Sequence, residues 1–150
     1  MRVFKSPAEL RDAVGTRLGV SGLHTVGQDR VDLFAEATGD HQWIHVDSAR
    51  AADGPFGTTI VHGYLTLSLL PVFAEECYRI DTMSMMVNYG LNRVRFPAPV
   101  PAGTALRATA DLTSVEDVPG GVQAVITFTV ESGAGGKPHC VAEAVVRYFD

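Results

Sequence analysis

Gly63-Tyr64-Leu65-Thr66-Leu67-Ser68-Leu69-Leu70-Pro71-Val72-Phe73-Ala74-Glu75-Glu76-Cys77-Tyr78 is the stretch on which the fold turns. Wound at 3.6 residues per turn, Tyr64, Leu65, Leu67, Leu69, Leu70, Val72, Phe73, Ala74, Cys77 and Tyr78 occupy every side of the wheel. Such a helix offers no polar face to water and is expected to be surrounded by protein. Pro71 removes one backbone hydrogen bond from its interior and predicts a kink. The run from Tyr64 to Ala74 is interrupted by Thr66, Ser68 and Pro71. It is far shorter than the roughly 20 residues of a membrane span, so it predicts a core helix and no membrane segment.

Working outward, the N-terminal side is helical and the C-terminal side is not. Ser6-Pro7-Ala8-Glu9 has the form of a capping box, with Gly15 as a stop. Asp29 opens a second helical pattern in which Val31, Phe34, Ala35 and Thr38 share a face, and Gly39 ends it. From Asp40 to Thr59 the chain predicts a loop with one short helical turn after Asp47. Beyond Asp81 the hydrophobic period changes to two. Leu106, Ala108, Ala110 and Leu112 alternate with polar residues, as do Val122, Ala124, Ile126, Phe128 and Val130, and Val141 to Phe149 forms a third such run. Met83 to Tyr89 and Leu91 to Phe96 add one or two strands, and Pro119-Gly120-Gly121 and Gly133 to Gly136 supply turns. Segregated helix and antiparallel strands are α+β, and a lone helix that is apolar all round needs a sheet curved about it. That arrangement is the hot-dog fold, here one domain over residues 1–150. Its exposed sheet edges commonly pair between subunits, so a homodimer is expected.

Composition narrows the partner. The 150 residues are 46% hydrophobic, which rules out a disordered chain, and the net charge of −5 argues against nucleic acid or an anionic membrane as partner. The acid is unevenly spread: between Thr82 and Ala110 there are Arg93, Arg95 and Arg107 and no acidic residue, a local balance of +3. That strip suits one phosphate-bearing ligand, although arginine is equally at home on a solvated strand face. Cys77 and Cys140 lack any metal or redox spacing and predict two buried free thiols. The N-terminus has no continuous apolar run after Arg2 and Lys5, so a cytoplasmic protein is expected.

The chemistry concentrates in Phe34-Ala35-Glu36-Ala37-Thr38-Gly39-Asp40-His41-Gln42-Trp43-Ile44-His45-Val46-Asp47. An acid and a histidine five residues apart, on a loop released from a helix by Gly39, can be aimed at one water molecule. This segment resembles the signature of the MaoC-like dehydratases, the hydratase 2 or (R)-specific enoyl-CoA hydratase family: aromatic, small, Thr/Ser-Gly-Asp, three variable residues, apolar, His. The likeness continues through Gly54-Pro55-Phe56-Gly57, Ile60-Val61-His62-Gly63-Tyr64-Leu65-Thr66 and Asn88-Tyr89-Gly90-Leu91-Asn92-Arg93-Val94-Arg95-Phe96. One departure is Gln42-Trp43, where many members have Asn-Pro.

The resemblance implies reversible syn addition of water to a trans-2-enoyl thioester, giving an (R)-3-hydroxyacyl-CoA. Asp40 and His45 would hold the water and move the protons. The N–H of Gly63, at a helix start, would stabilise the enolate oxygen. Ile60, Val61, His62, Asn88 and Tyr89 would border the acyl thioester, with Arg93 and Arg95 available to the CoA phosphates. His62 also has a structural reading, as a helix cap or a link to a neighbouring loop. No metal and no other cofactor is implied. A zinc site built on His41 and His45 with Asp40 or Asp47 needs a helix where Gly39 predicts a loop. Gly133-Ala134-Gly135-Gly136-Lys137 lacks the spacing of a phosphate loop, and Ser68 lacks a nucleophile elbow's glycines. Two alternatives share the fold: an acyl-CoA thioesterase, and a non-catalytic acyl-binding subunit of a heteromeric dehydratase.

Overall fold

In the computed structural model, which describes residues 1–149, the strands that alternate most regularly in sequence form the body of one sheet. The chain runs β1 (Arg2–Phe4), α1 (Pro7–Asp12), β2 (Arg17–Val20), β3 (His24–Val26), α2 (Gln28–Thr38), α3 (Trp43–Val46), α4 (Ser48–Ala52), α5 (Gly63–Ser68) and α6 (Leu70–Cys77). It continues through β4 (Tyr78–Ile80), β5 (Met85–Arg95), β6 (Thr104–Val118), β7 (Gly121–Ser132) and β8 (Cys140–Phe149). Six strands form an antiparallel sheet in the order β2-β6-β7-β8-β5, with β3 also on β6, while β1 and β4 make a small parallel pair.

The alternation has a direct structural meaning. Leu106, Ala108, Ala110 and Leu112 of β6, the even residues Val122 to Val130 of β7, and Cys140, Ala142, Val146 and Tyr148 of β8 all point to one buried face. Many of them are alanines, whose small side chains let the α5–α6 segment lie close in the curve of the sheet. Phe73 and Cys77 of α6 are fully buried there. This is the hot-dog arrangement expected from the sequence.

Three details differ from expectation. Pro71 does more than kink the central helix: the helix stops at Ser68, Leu69 caps both halves, and Pro71 sits in the first turn of α6, where its missing N–H costs no hydrogen bond. The helix is also not enclosed on every side. Leu65, Thr66, Leu69, Leu70, Phe73 and Ala74 are buried, but Tyr64 is 70% exposed. Finally, four short strands, β1 to β4, stand where no strand was expected; the runs around Gly90, read as one or two strands, form the single strand β5, with irregularities at Asn88/Gly90 and Leu91/Val94.

Strand β5 ends the sheet, and nearly its whole length is exposed, including Met85, Met86, Val87, Tyr89 and Leu91. Cys77 and Cys140 are both free and buried, and among the described residues no helix is long and apolar enough to cross a membrane.

Candidate active site

Gly39 places the acid. At φ +79° it adopts the left-handed conformation that ends α2, and its N–H closes on the Ala35 carbonyl. Asp40 follows in the released turn, its side chain 48% exposed and one carboxylate oxygen accepting from the Gln42 N–H at 3.3 Å. The segment after it is not the loop the sequence suggested but a single turn of helix, α3, carrying His45 on its buried side. Trp43 explains how this chain tolerates its departure from Asn-Pro. Its ring lies under the Arg50 guanidinium at 4.4 Å and against Gly54, where an added Cβ would stand 3.0 Å from the ring.

His45 is 6% exposed and fixed from behind. Its Nδ1 lies 2.7 Å from the Ile60 carbonyl oxygen, and the Ile60 N–H donates to Ile44 at 2.9 Å, so one residue grips α3 twice. A carbonyl only accepts; Nδ1 therefore carries the proton and Nε2 is left as the basic atom. Burial pushes the imidazole below its ordinary 6.5, against the opposing pull of the Ile60 carbonyl and the Asp40 carboxylate. Gln28 adds a second clamp that sequence reading missed. Its amide donates to the His45 carbonyl at 2.7 Å and accepts from the Thr59 hydroxyl at 2.6 Å. A lone glutamine at a helix start gives no signal by itself, since its partners lie 17 and 31 residues away.

His62 completes the group. One ligand-capable atom from each of Asp40, His45 and His62 lies within 4.8 Å of the others. His62 is 2% exposed, so it faces the dyad rather than open space, and its Nε2 donates to the Asp40 carbonyl at 3.0 Å. That is the link to a neighbouring loop raised from sequence. Two histidines and a carboxylate have the composition of a metal site, but the His62 nitrogen that faces Asp40 is protonated by its bond to a carbonyl and cannot ligate. The zinc set considered from sequence is not assembled: His41 pairs with Glu36 at 3.5 Å, and Asp47 caps α4 through the Arg50 N–H. A carboxylate beside a free imidazole Nε2 suits a water molecule, one group holding it and the other taking its proton.

The other expected residues fall into two groups. Ile60 adjoins the trio through its carbonyl, Gly63 follows His62 in the chain, and Val61 is buried with its N–H given to the Val100 carbonyl at 2.7 Å. Gly63 begins α5 with its N–H in the unpaired first turn. Phe96 packs so closely on Gly63 that an added Cβ would stand 3.1 Å from its ring. The second group lies on β5. Asn88 lines a cavity of about 440 Å³ between α5, α6, β5 and β8, whose wall includes Leu67 but none of Asp40, His45, His62 and Gly63. Tyr89 is on the opposite face, with the Arg147 guanidinium 3.5 Å above its ring. Arg93 and Arg95 are exposed on β5 and have no acidic partner among the described residues, whereas Arg107 is paired with Glu131 at 2.8 Å. The basic strip thus offers two free cations rather than three.

The MaoC like domain, a dehydratase domain, matches residues 9–133. The chain belongs to the MaoC-like dehydratase family. It is an enzyme, 55% identical over 149 residues to 3-hydroxyacyl-thioester dehydratase Z of Mycobacterium tuberculosis, a match that covers 99% of each chain. The unliganded (R)-hydratase of Pseudomonas aeruginosa superposes with a TM-score of 0.76 at 25% identity, covering 96% of this chain and 85% of that one. The A. caviae (R)-hydratase involved in PHA biosynthesis superposes with a TM-score of 0.73 at 28% identity, covering 89% and 94%. These MaoC-like relatives match the domain that carries Asp40, His45 and His62.

Proposed function

We propose that this MaoC-like dehydratase adds water reversibly to trans-2-enoyl-CoA, giving (R)-3-hydroxyacyl-CoA in cytoplasmic fatty-acid metabolism, and that it acts as a homodimer. The observation that carries the proposal is the pairing of His45, its Nδ1 tied to Ile60 and its Nε2 left basic, with an Asp40 carboxylate oxygen within 4.8 Å of its ring nitrogen. Water bound between the two loses a proton as its oxygen bonds to the β-carbon. The α-carbon then takes a proton from the same pair, on the same face, so the addition is syn. Negative charge that gathers on the thioester oxygen meets the Gly63 N–H at the start of α5. The cavity walled by Leu67 and Asn88 takes the acyl chain. The stereochemistry draws support from the two (R)-hydratases of like fold, and the thioester substrate from the mycobacterial relative's name. The unpaired, apolar edge of β5 supports pairing with a second copy.

Crotonyl-CoA tests the proposal. Loss of its conjugated enoyl absorbance without release of thiol is the expected result, and chiral analysis of the product gives the (R)-alcohol. Thiol release would identify a thioesterase, no reaction a binding subunit, and the (S)-alcohol a different stereochemical class.

Arg93 and Arg95 supply a second check. Their guanidinium groups stand free on β5, close in sequence to the Phe96 ring that packs on Gly63. The Arg93→Ala/Arg95→Ala double variant raises KM for crotonyl-CoA by about fivefold, the scale of an exposed ion pair, with kcat almost unchanged. An unchanged KM removes both residues from the site. Added salt weakens the wild-type enzyme's KM in the same direction.

A further inference from the structure

We propose that His62 is a positioning residue of the dyad, one imidazole that holds Asp40 by its main chain and His45 by its ring plane. The proposal rests on the hydration chemistry above for its catalytic consequence, but its geometry stands alone. The residue precedes Gly63, so its backbone belongs to the start of α5. Its Nε2 reaches the Asp40 carbonyl at 3.0 Å, and its ring stacks on that of His45 with centroids 3.9 Å apart and planes 25° from parallel. Phe34 of α2 covers it at 5.0 Å. No other side chain touches both members of the dyad while belonging to the helix end that carries Gly63, among the interactions of the described residues.

One feature separates this role from packing. The Nδ1 of His62 is buried and has no hydrogen-bond partner. A phenylalanine would fill the slot between Phe34 and His45 without that unsatisfied atom, so packing alone gives no reason for histidine. What only histidine supplies there is the Nε2–H. The same bond places a proton on Nε2, since the Asp40 carbonyl only accepts. The groups facing the ring are His45 of α3, the Asp40 carboxylate at 4.0 Å and the uncharged Phe34. Each imidazole is then held by one carbonyl, and His45 keeps its Nε2 for the reaction.

Two substitutions divide the functions. His62→Phe keeps the stacking plane and loses the donor; His62→Gln keeps a donor near the Nε2 position and loses the plane. With crotonyl-CoA, His62→Phe lowers kcat about tenfold or more, as a displaced catalytic group does, and leaves KM nearly unchanged. Its Tm is no lower than wild type. His62→Gln recovers part of the loss. In an Asp40→Asn background the His62→Phe penalty disappears, because no ionised carboxylate remains to be placed. Wild-type kcat in His62→Phe, or the same fractional loss in both backgrounds, overturns the proposal.

Nitrogen-proton NMR of the labelled imidazoles tests the placement without turnover. It shows a proton on His62 Nε2 and on His45 Nδ1. A His62 Nε2 that carries no proton overturns the placement even in an active hydratase. Inactive wild-type enzyme with both protons in place overturns the functional reading instead.

Discussion

Asp40→Asn lowers turnover of crotonyl-CoA by about two orders of magnitude or more while the protein stays folded, the loss expected when a positioned acid or base is removed. Structure supplies both halves of that expectation. The side chain is half exposed and accepts from the Gln42 N–H, a bond that an amide oxygen still accepts. Gly39, which sets the turn, is untouched. Stability should therefore move little. Catalysis should not, because an asparagine of the same shape neither holds water as a charged acceptor nor passes a proton. Near wild-type hydration by this variant sinks the mechanism, and circular dichroism with a melting curve separates lost chemistry from lost fold.

His45→Gln has an effect of the same order and a second signature in pH. On the proposed mechanism the neutral imidazole is the active form. Since burial depresses its pKa below 6.5, kcat/KM stays flat from neutrality down past pH 6.5 and falls only at more acid pH, where Nε2 becomes protonated. An acid limb centred above 6.5 contradicts this assignment. Any residual activity of His45→Gln lacks that limb altogether. Unlike the Asp40 variant, it also melts earlier, because the buried Ile60 carbonyl loses its donor; leaving such a group unsatisfied costs about 1–3 kcal/mol. Rate and Tm measured on both variants thus distinguish the exposed member of the pair from the buried one.

Sequence conveyed the parts of the molecule governed by local periodicity. The long strands β6, β7 and β8 bury the alternate residues that the pattern selects, and the apolar run from Gly63 forms the helix they wrap. Asp40 and His45 were legible because Gly39 marks where the chain is released. What escaped depends on partners distant in the chain. Strands β1 to β4 have three or four residues each, too few to show a period, and exist because a neighbour pairs with them. Gln28 and the Ile60 carbonyl act on His45 across gaps no motif records. Arg107 looked free until Glu131, 24 residues on, was seen beside it on the adjacent strand. The exposed Tyr64 shows the same limit: a helical wheel says which residues are apolar, not how far a sheet reaches around them.

The orientation of His45 by Ile60 has an evolutionary reach. The group that fixes the base's tautomer is a main-chain carbonyl, present whatever side chain stands at that position. Drift at residue 60 therefore alters packing but cannot delete the contact, short of a change that moves the backbone. Proline is the one replacement that must disturb it, since it removes the N–H given to Ile44. The vulnerable genetic targets are the side chains of Asp40, His45 and His62, while the device that aims the base is shielded from substitution.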